Sequence, residues 1–147
     1  MKRIIIIICA VITAMFFSCS SDGGNDNEDI AVTFPNLAGK WCIKDIVKPD
    51  GTLRPYTNLC TTKKDSVEFF AYRKITAKFN AADCTNVQYE GCTDFFLDYD
   101  THEIWLCNSY FNGIVTKLTA TEMRIDYEDV ELVPYFGGEA KGVILSR

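Results

Sequence analysis

The sequence predicts an all-β domain: an antiparallel meander of about eight short strands that closes into a barrel, with a β-sandwich as the alternative. Apolar and polar residues alternate with a period of two in several stretches, and turn signals separate those stretches. Aromatic residues make up 13% of the chain, and many of them lie in the alternating stretches. Sequential short strands joined by tight turns favour a barrel or a sandwich.

The alternation is clearest late in the chain. Residues 121–129 place Met123, Ile125 and Tyr127 on one side and charged residues on the other. A period of two with charges on one side indicates a strand with one buried face and one hydrated face. The same pattern puts Ile75, Ala77 and Phe79 on one face of residues 73–79.

The remaining strands alternate less regularly. Residues 65–72 fit either a strand or a helical turn, and residues 87–90 are short and ambiguous. Turns are predicted at Pro49–Gly51, at Asp100–His102 and, most strongly, at the hairpin signal Asn112-Gly113. The alternating sets are Trp41, Ile43 and Val47; Phe95, Leu97 and Tyr99; and Ile114, Thr116 and Leu118.

Composition limits the classes of function. The 147 residues carry 20 acidic and 15 basic side chains, for a formal net charge of −5. A chain of this length accommodates one domain. An acidic chain without a basic stripe argues against binding of nucleic acid.

The N-terminus predicts export. Lys2 and Arg3 precede a run of about 14 apolar residues, and Ser18 follows that run. A basic start, a short apolar stretch and a small residue describe a secretory signal peptide, here residues 1–18. The run is shorter than the roughly 20 residues that a membrane-spanning helix needs.

The cleavage site resembles the lipobox of bacterial lipoproteins. It reads Phe16-Phe17-Ser18-Cys19, with phenylalanine where leucine is usual at the first position. The resemblance implies a diacylglyceryl group on the Cys19 sulfur, and an outer-membrane protein held to the membrane by acyl chains. Two or more chains give a stable anchor.

Residues 19–36 are predicted to form the lipidated cysteine and a flexible acidic tether. Ser20–Asp29 contains four acids and no apolar residue, so it cannot bury enough surface to fold. The stretch also resembles the acidic tag that directs some outer-membrane lipoproteins to the cell surface. The folded domain is then expected over residues 37–147.

That domain resembles the lipocalin-like domains of bacterial lipoproteins. Leu37-Ala38-Gly39-Lys40-Trp41 is similar to their Leu-x-Gly-x-Trp opening, and residues 114–125 are similar to their late hairpin. Residues 74–80 are similar to their second strand, and Cys60 and Cys84 lie where many members have cysteines. The resemblance implies a compact antiparallel barrel, in a family most of whose members have no assigned activity. The usual Asn-Gly or Asp-Gly turn after the second strand is replaced by residues 80–83.

Seven cysteines are present. Cys9 leaves with the leader and Cys19 carries lipid, so five remain in the folded domain. Export favours disulfides, and an odd number leaves one thiol over. The predicted pairs are Cys60 with Cys84, since both fall in breaks that flank one strand region, and Cys42 with Cys107, leaving Cys92.

The sequence does not favour an enzyme, a metal site or a cofactor. There is no Cys-x-x-Cys pair, and the single histidine, His102, lies in a predicted turn. Asp98, Asp100 and Glu103 could serve as general acid and base or bind calcium, but a solvated hairpin tip also explains them.

Ligand binding is the leading functional hypothesis. An eight-stranded barrel is either filled by side chains or leaves room for one small ligand. The ligand would be small and apolar, or an envelope protein would bind instead; the alternatives are an accessory protein with a packed core and a secreted inhibitor. Tyr110-Phe111 and Tyr135-Phe136, near turns, could mark a partner or glycan surface, or could pack at the edge of the barrel. The ligand-binding candidates are Trp41, Phe79, Phe95, Tyr99 and Tyr127.

Overall fold

The computed structural model describes residues 28–106 and 112–147. The predicted export leader, Cys19 and Cys107 lie outside the described residues. A short helix, α1 (Phe34–Leu37), precedes the strands, and a 3₁₀ turn (Pro134–Phe136) separates the last two. The strands are β1 (Gly39–Val47), β2 (Leu53–Pro55), β3 (Ser66–Phe70), β4 (Lys74–Asn80), β5 (Val87–Leu97), β6 (Glu103–Leu106), β7 (Gly113–Leu118), β8 (Glu122–Val133) and β9 (Gly138–Ser146).

These strands form a closed antiparallel barrel. The sheet runs in the order β2-β1-β3-β4-β5-β6-β7-β8-β9, and β1 also pairs with β9, which closes a ring of eight strands. The ninth strand, β2, pairs with the end of β1 beyond its contact with β3. The predicted barrel is therefore confirmed over the sandwich.

The two most regular sequence patterns form strands as predicted. In β8, Met123, Ile125 and Tyr127 are buried, and in β4 Ile75 and Phe79 are buried. Residues 66–70, which fitted a strand or a helical turn, form β3 between β1 and β4. The ambiguous stretch at residue 87 begins the eleven-residue strand β5.

Two bulges change which residues face inward. In β1 the register shifts between Ile43 and Asp45, so that Ile46 joins Trp41 and Ile43 in the main core cluster. Val47 is also buried but lies outside that cluster. In β7 the register shifts between Val115 and Lys117. An extra residue in one strand reverses the alternation beyond it. The alternating set predicted for β7 therefore does not share one face: Leu118 is buried together with Val115, whereas Ile114 and Thr116 are exposed.

The predicted face of residues 95–99 is correct only for its first two members. Phe95 and Leu97 are buried, but β5 ends at Leu97, and Tyr99 lies in the following turn with 54% of its surface exposed. That turn is the hairpin predicted at residues 100–102. Asp98 stabilises it, since its Oδ1 accepts hydrogen bonds from the backbone N–H groups of Asp100 and Thr101 at 2.8 and 2.9 Å.

Gly113 does not form the predicted hairpin turn. It lies within β7, opposite Ile104 of β6. A Cβ atom at this position would lie 2.3 Å from the carbonyl oxygen of Asp126. The glycine therefore permits a close approach of two backbones, which is a second common reason for glycine in a strand.

The N-terminal segment closes one end of the barrel. The backbone N–H of Ile30 donates to the Leu118 carbonyl at 2.8 Å. The Phe34 ring packs 5.2 Å from the Phe95 ring, and Val32 and Leu37 are buried. Packing thus begins near residue 30, within the expected tether.

The Leu-x-Gly-x-Trp segment lies at the same closed end. The Trp41 Nε1–H donates to the Leu37 carbonyl at 2.8 Å, and the Arg147 guanidinium lies 4.1 Å from the centre of the Trp41 ring. Arg147 also donates to the carbonyls of Ala38 and Ala120 at 3.0 and 2.7 Å. The last residue of the chain therefore ties the first strand to the β7–β8 turn.

Opposite faces of β8 should respond differently to substitution. Met123→Lys places an unpaired charge in the core and should lower the free energy of unfolding by about 3–5 kcal/mol. Arg124→Ala breaks only a half-exposed ion pair with Asp126 and should cost less than about 1 kcal/mol. Urea unfolding of both variants checks this. Equal losses would show that the faces of β8 are misassigned.

Candidate ligand-binding site at the open end of the barrel

The structure does not bring the five aromatic candidates together. Trp41 and Phe95 pack at the closed end, and Tyr99 lies on the surface there, 5.8 Å from the Phe34 ring. Tyr127 is buried in the core. Of the five, Phe79 lines a pocket at the opposite end of the barrel.

That pocket, called here the mouth pocket, has a volume of about 270 Å³. Its walls come from β2 and the loop after it, from the end of β4, and from the 3₁₀ turn between β8 and β9. The residues used below are Arg54, Tyr56, Asp65, Phe79, Tyr135 and Phe136.

Aromatic rings form the apolar wall of the mouth pocket. Phe79 and Tyr135 stack with centroids 4.5 Å apart and an interplanar angle of 20°. Tyr56 meets Phe136 edge to face at 6.0 Å. Phe136 is only 1% exposed and Tyr135 packs partly buried against the core, so of the two alternatives for this pair the structure has edge packing and not an exposed surface. The 3₁₀ turn folds these rings back over the barrel, whereas Tyr110-Phe111 falls in the part that is not described.

A buried carboxylate supplies the polar side of the pocket. Asp65 is 1% exposed. It accepts hydrogen bonds from the Tyr56 hydroxyl at 2.6 Å and from the Asn80 backbone N–H at 2.7 Å. Burial, and next the hydrogen bond to Asp65, raise the pKa of Tyr56. The Tyr56 hydroxyl therefore keeps its proton and remains a donor.

Arg54 and Tyr56 hold the 3₁₀ turn over the opening. The Arg54 guanidinium donates to the Phe136 carbonyl, and the Tyr56 hydroxyl lies 3.3 Å from the Tyr135 carbonyl. Gly137 ends the turn with φ at 73°, a conformation that glycine adopts without strain. One wall of the pocket is thus fixed by hydrogen bonds.

A disulfide fixes the loops around the opening. Cys60 and Cys84 are bonded, with Cα atoms 5.0 Å apart, which confirms this predicted pair. The bond joins the loop after β2 to the loop after β4. Cys42 is also disulfide-bonded. Its predicted pairing with Cys107, which lies outside the described residues, stays a prediction, as does the assignment of Cys92 as the odd thiol.

Tyr127 carries a hydroxyl in an unusual position. The side chain is 3% exposed, and its oxygen has no hydrogen-bond partner among the described residues. Leaving such a group without a partner costs about 1–3 kcal/mol. Burial also raises the pKa of this hydroxyl, with a smaller contribution from Glu131.

Sequence reasoning missed Arg54, Tyr56 and Asp65. Each lies in or beside a short strand or loop that shows no alternation, and Asp65 precedes β3 by a single residue. The sequence places Asn80 only in the turn at residues 80–83 and predicts no role for its side chain. Its role depends on Asp65, fifteen positions earlier, and a one-dimensional pattern does not show that contact.

The hairpin that carries Asp98, Asp100 and Glu103 lies at the closed end of the barrel, away from the mouth pocket. His102 is exposed and has a left-handed φ of 60°. Asp98 serves the turn, and hydrogen bonds from the backbone N–H groups of Thr101 and Asp100 lower its pKa. Over residues 28–106 and 112–147, no group of three or more potential ligands is placed to hold a metal ion.

The chain matches no protein-family model, no curated protein and no solved structure. Within the described ranges, none of the helices has the length and apolar character needed to cross a bilayer.

Tyr56, which is partly buried, and Tyr127, which is buried, predict a loss of stability at high pH. Their hydroxyls keep their protons in the folded state, while the unfolded chain loses them near pH 10. The free energy of unfolding should therefore be unaffected by these groups below pH 9 and fall as the pH rises above 10. Tyr56→Phe and Tyr127→Phe should each reduce that fall.

Tyr72→Phe is the matched control, because Tyr72 is 69% exposed. Denaturant unfolding between pH 8 and 11.5 measures the effect. A decline that is identical in all three variants and the unmodified protein would contradict the assignment.

Proposed function

We propose that the protein is a lipid-anchored binding protein of the bacterial outer membrane, and that the mouth pocket takes up a small, largely apolar ligand. The observation that carries this proposal is the asymmetry of the barrel. One end is covered by residues 30–37, and the other has an aromatic-lined pocket. Apolar pockets with a few placed polar groups are the usual form of small-molecule sites.

The pocket limits the size and chemistry of the ligand. A volume of about 270 Å³ lies just below the usual range of about 300–1,000 Å³. It therefore favours one compact ring-containing molecule over a long acyl chain. The stacked Phe79 and Tyr135 rings offer an apolar face, and Arg54 beside them offers a donor for one polar group.

The anchor proposal rests on the sequence from Lys2 to Cys19, which resembles a lipoprotein leader. With packing from Ile30 onward, the tether comprises about ten residues. A flexible chain of that length spans roughly 16–19 Å root-mean-square. Because the chain enters the fold at the closed end, the tether would hold this end toward the membrane and leave the mouth pocket facing away.

An envelope-protein partner is the second candidate. Phe96 of β5 and Trp105 of β6 are directly opposite one another and point outward, with 56% and 60% of their surfaces exposed. Neighbouring exposed aromatics often mark contact surfaces. If the protein instead binds an envelope protein through Phe96 and Trp105, the mouth pocket is only a space left between side chains, and a small ligand would not bind there.

Narrowing the opening of the mouth pocket should weaken ligand binding. The neutral probe N-phenyl-1-naphthylamine should bind the unmodified protein, and Thr57→Trp should weaken that binding at least tenfold. Thr57 is exposed at the rim of the mouth pocket, so the bulkier ring narrows the entrance without altering the core. Isothermal titration calorimetry gives both affinities.

Tyr72→Trp adds the same ring at an exposed position in the β3–β4 turn and should bind the probe normally. If the probe binds the unmodified protein, Thr57→Trp and Tyr72→Trp equally, or binds none of them, the mouth pocket is not the ligand site.

The anchor is tested separately. Cys19→Ala removes the sulfur that carries the lipid, so the variant should leave the membrane fraction, whereas Cys92→Ala should remain in it. Mass spectrometry of the mature N-terminus should find fatty acid only where Cys19 is present. Retention of Cys19→Ala on membranes after a salt wash would contradict the proposed anchor.

A further inference from the structure

We propose that the outer surface of the barrel carries a second binding site, for a ligand that bears a phosphate or sulfate group. The site is a groove of about 540 Å³, called here the lysine groove. The loop at residues 61–64 forms one side, and Thr85 and Val87 form the other. Its floor is the outer face of β1, β3 and β4.

The lysine groove is separate from the mouth pocket, although one loop serves both. Side chains alternate across a strand, so Lys78 and Asn80 face the groove while Phe79 faces the pocket. The same separation holds around β3, where Ser66 lines the groove and Asp65 lines the pocket.

Positive charge is concentrated in the groove. It is lined by four lysines, Lys40, Lys63, Lys64 and Lys78, in a chain whose formal net charge is −5. Two carboxylates face this set. Glu90 lies 3.7 Å from the Lys78 Nζ, and Glu68 is the cross-strand neighbour of Lys40. Among the described residues, these four lysines outnumber the two carboxylates, and they still outnumber the acids when Asp83 at the rim is included.

A third acid near the groove, Asp83, accepts hydrogen bonds within its own turn. The Asp83 Oδ1 accepts hydrogen bonds from the backbone N–H groups of Thr85 and Asn86, both at 3.0 Å. Its Oδ2 accepts from the Asn86 side chain at 2.6 Å. This carboxylate thus fixes the rim of the groove.

Hydroxyl groups line the groove together with the lysines. Thr61, Thr62, Ser66 and Thr85 each contribute one, and a hydroxyl can donate a hydrogen bond to an anionic oxygen. Lysine binds phosphate as a point charge. Several ammonium groups and hydroxyls around one concave surface fit a compact, highly charged anion better than an apolar molecule.

The groove is held in shape before any ligand arrives. The disulfide between Cys60 and Cys84 ties its two sides together. The backbone N–H of Lys63 lies 3.0 Å from the Cys60 sulfur, and the Asn80 side chain donates to the Lys64 carbonyl at 3.1 Å. A loop that is already ordered loses less conformational entropy when it binds.

The test uses pyrophosphate as the probe and the folded protein with Cys19→Ala, so that no lipid contributes. Calorimetry at low salt should show binding that weakens as sodium chloride is added. Lys63→Ala/Lys64→Ala should weaken it at least tenfold. Lys40→Ala, on the β1 floor of the groove, should weaken it severalfold and provides a second variant if the first folds poorly.

Lys48→Ala/Lys74→Ala is the matched control. It makes the same change in net charge at two partly exposed lysines outside the groove, and should bind pyrophosphate normally. Equal weakening in the control and groove variants would show a general charge effect and overturn the proposal. So would the absence of binding at millimolar pyrophosphate.

Vesicles distinguish the two sources of the anionic group. Binding to phosphatidylglycerol vesicles but not to phosphatidylcholine vesicles, lost in Lys63→Ala/Lys64→Ala, would identify a lipid headgroup. Pyrophosphate binding without vesicle binding would identify a soluble phosphate or sulfate ester. The groove variants should bind N-phenyl-1-naphthylamine normally, so failure of this proposal is distinguishable from failure of the mouth pocket.

Discussion

The pairing of β1 with β9 is the contact on which the rest of the structure depends. It joins the first strand to the last, from Cys42 opposite Ser146 to Val47 opposite Gly142. Without it the sheet would have two open edges, which expose unpaired backbone groups. The Arg147 side chain reinforces the closure because it stacks on Trp41 and bonds to Ala38 and Ala120. A closed ring also brings the 3₁₀ turn before β9 next to β2, where the mouth pocket forms.

The two ends of this ring have different chemistry. At one end, residues 30–37 add apolar side chains and backbone hydrogen bonds that cover the core. At the other, the Cys60–Cys84 bond and the Asp65 hydrogen bonds hold the loops in place. Covalent and polar contacts can order a loop without filling the space that it surrounds. The same loop separates the mouth pocket from the lysine groove, so one rigid segment shapes both surfaces.

The sequence predicts the regular strands well and the irregular ones poorly, for a physical reason. Burial of one face imposes the period of two in β4 and β8, and that period can be read directly. A bulge in β1 or β7 reverses the period. The β1 bulge lies in its pairing with β9, at the far end of the chain, and the β7 bulge lies in its hairpin with β8; the alternation of the sequence displays neither. The role of Gly113 follows from the approach of the Asp126 carbonyl. The candidate site is built from such distant contacts, and so only Phe79 and the Cys60–Cys84 pair were predicted.

The central claim is that an apolar ligand enters at the mouth pocket while the other end stays closed. Backbone amide chemical shifts, recorded by NMR during titration with N-phenyl-1-naphthylamine, test it most directly. The account predicts shifts at residues 54–59, 79 and 134–137, and unchanged signals at residues 30–41 and 147. Shifts confined to the closed end, or to the outward-facing residues of β5 and β6 around Phe96 and Trp105, would contradict it.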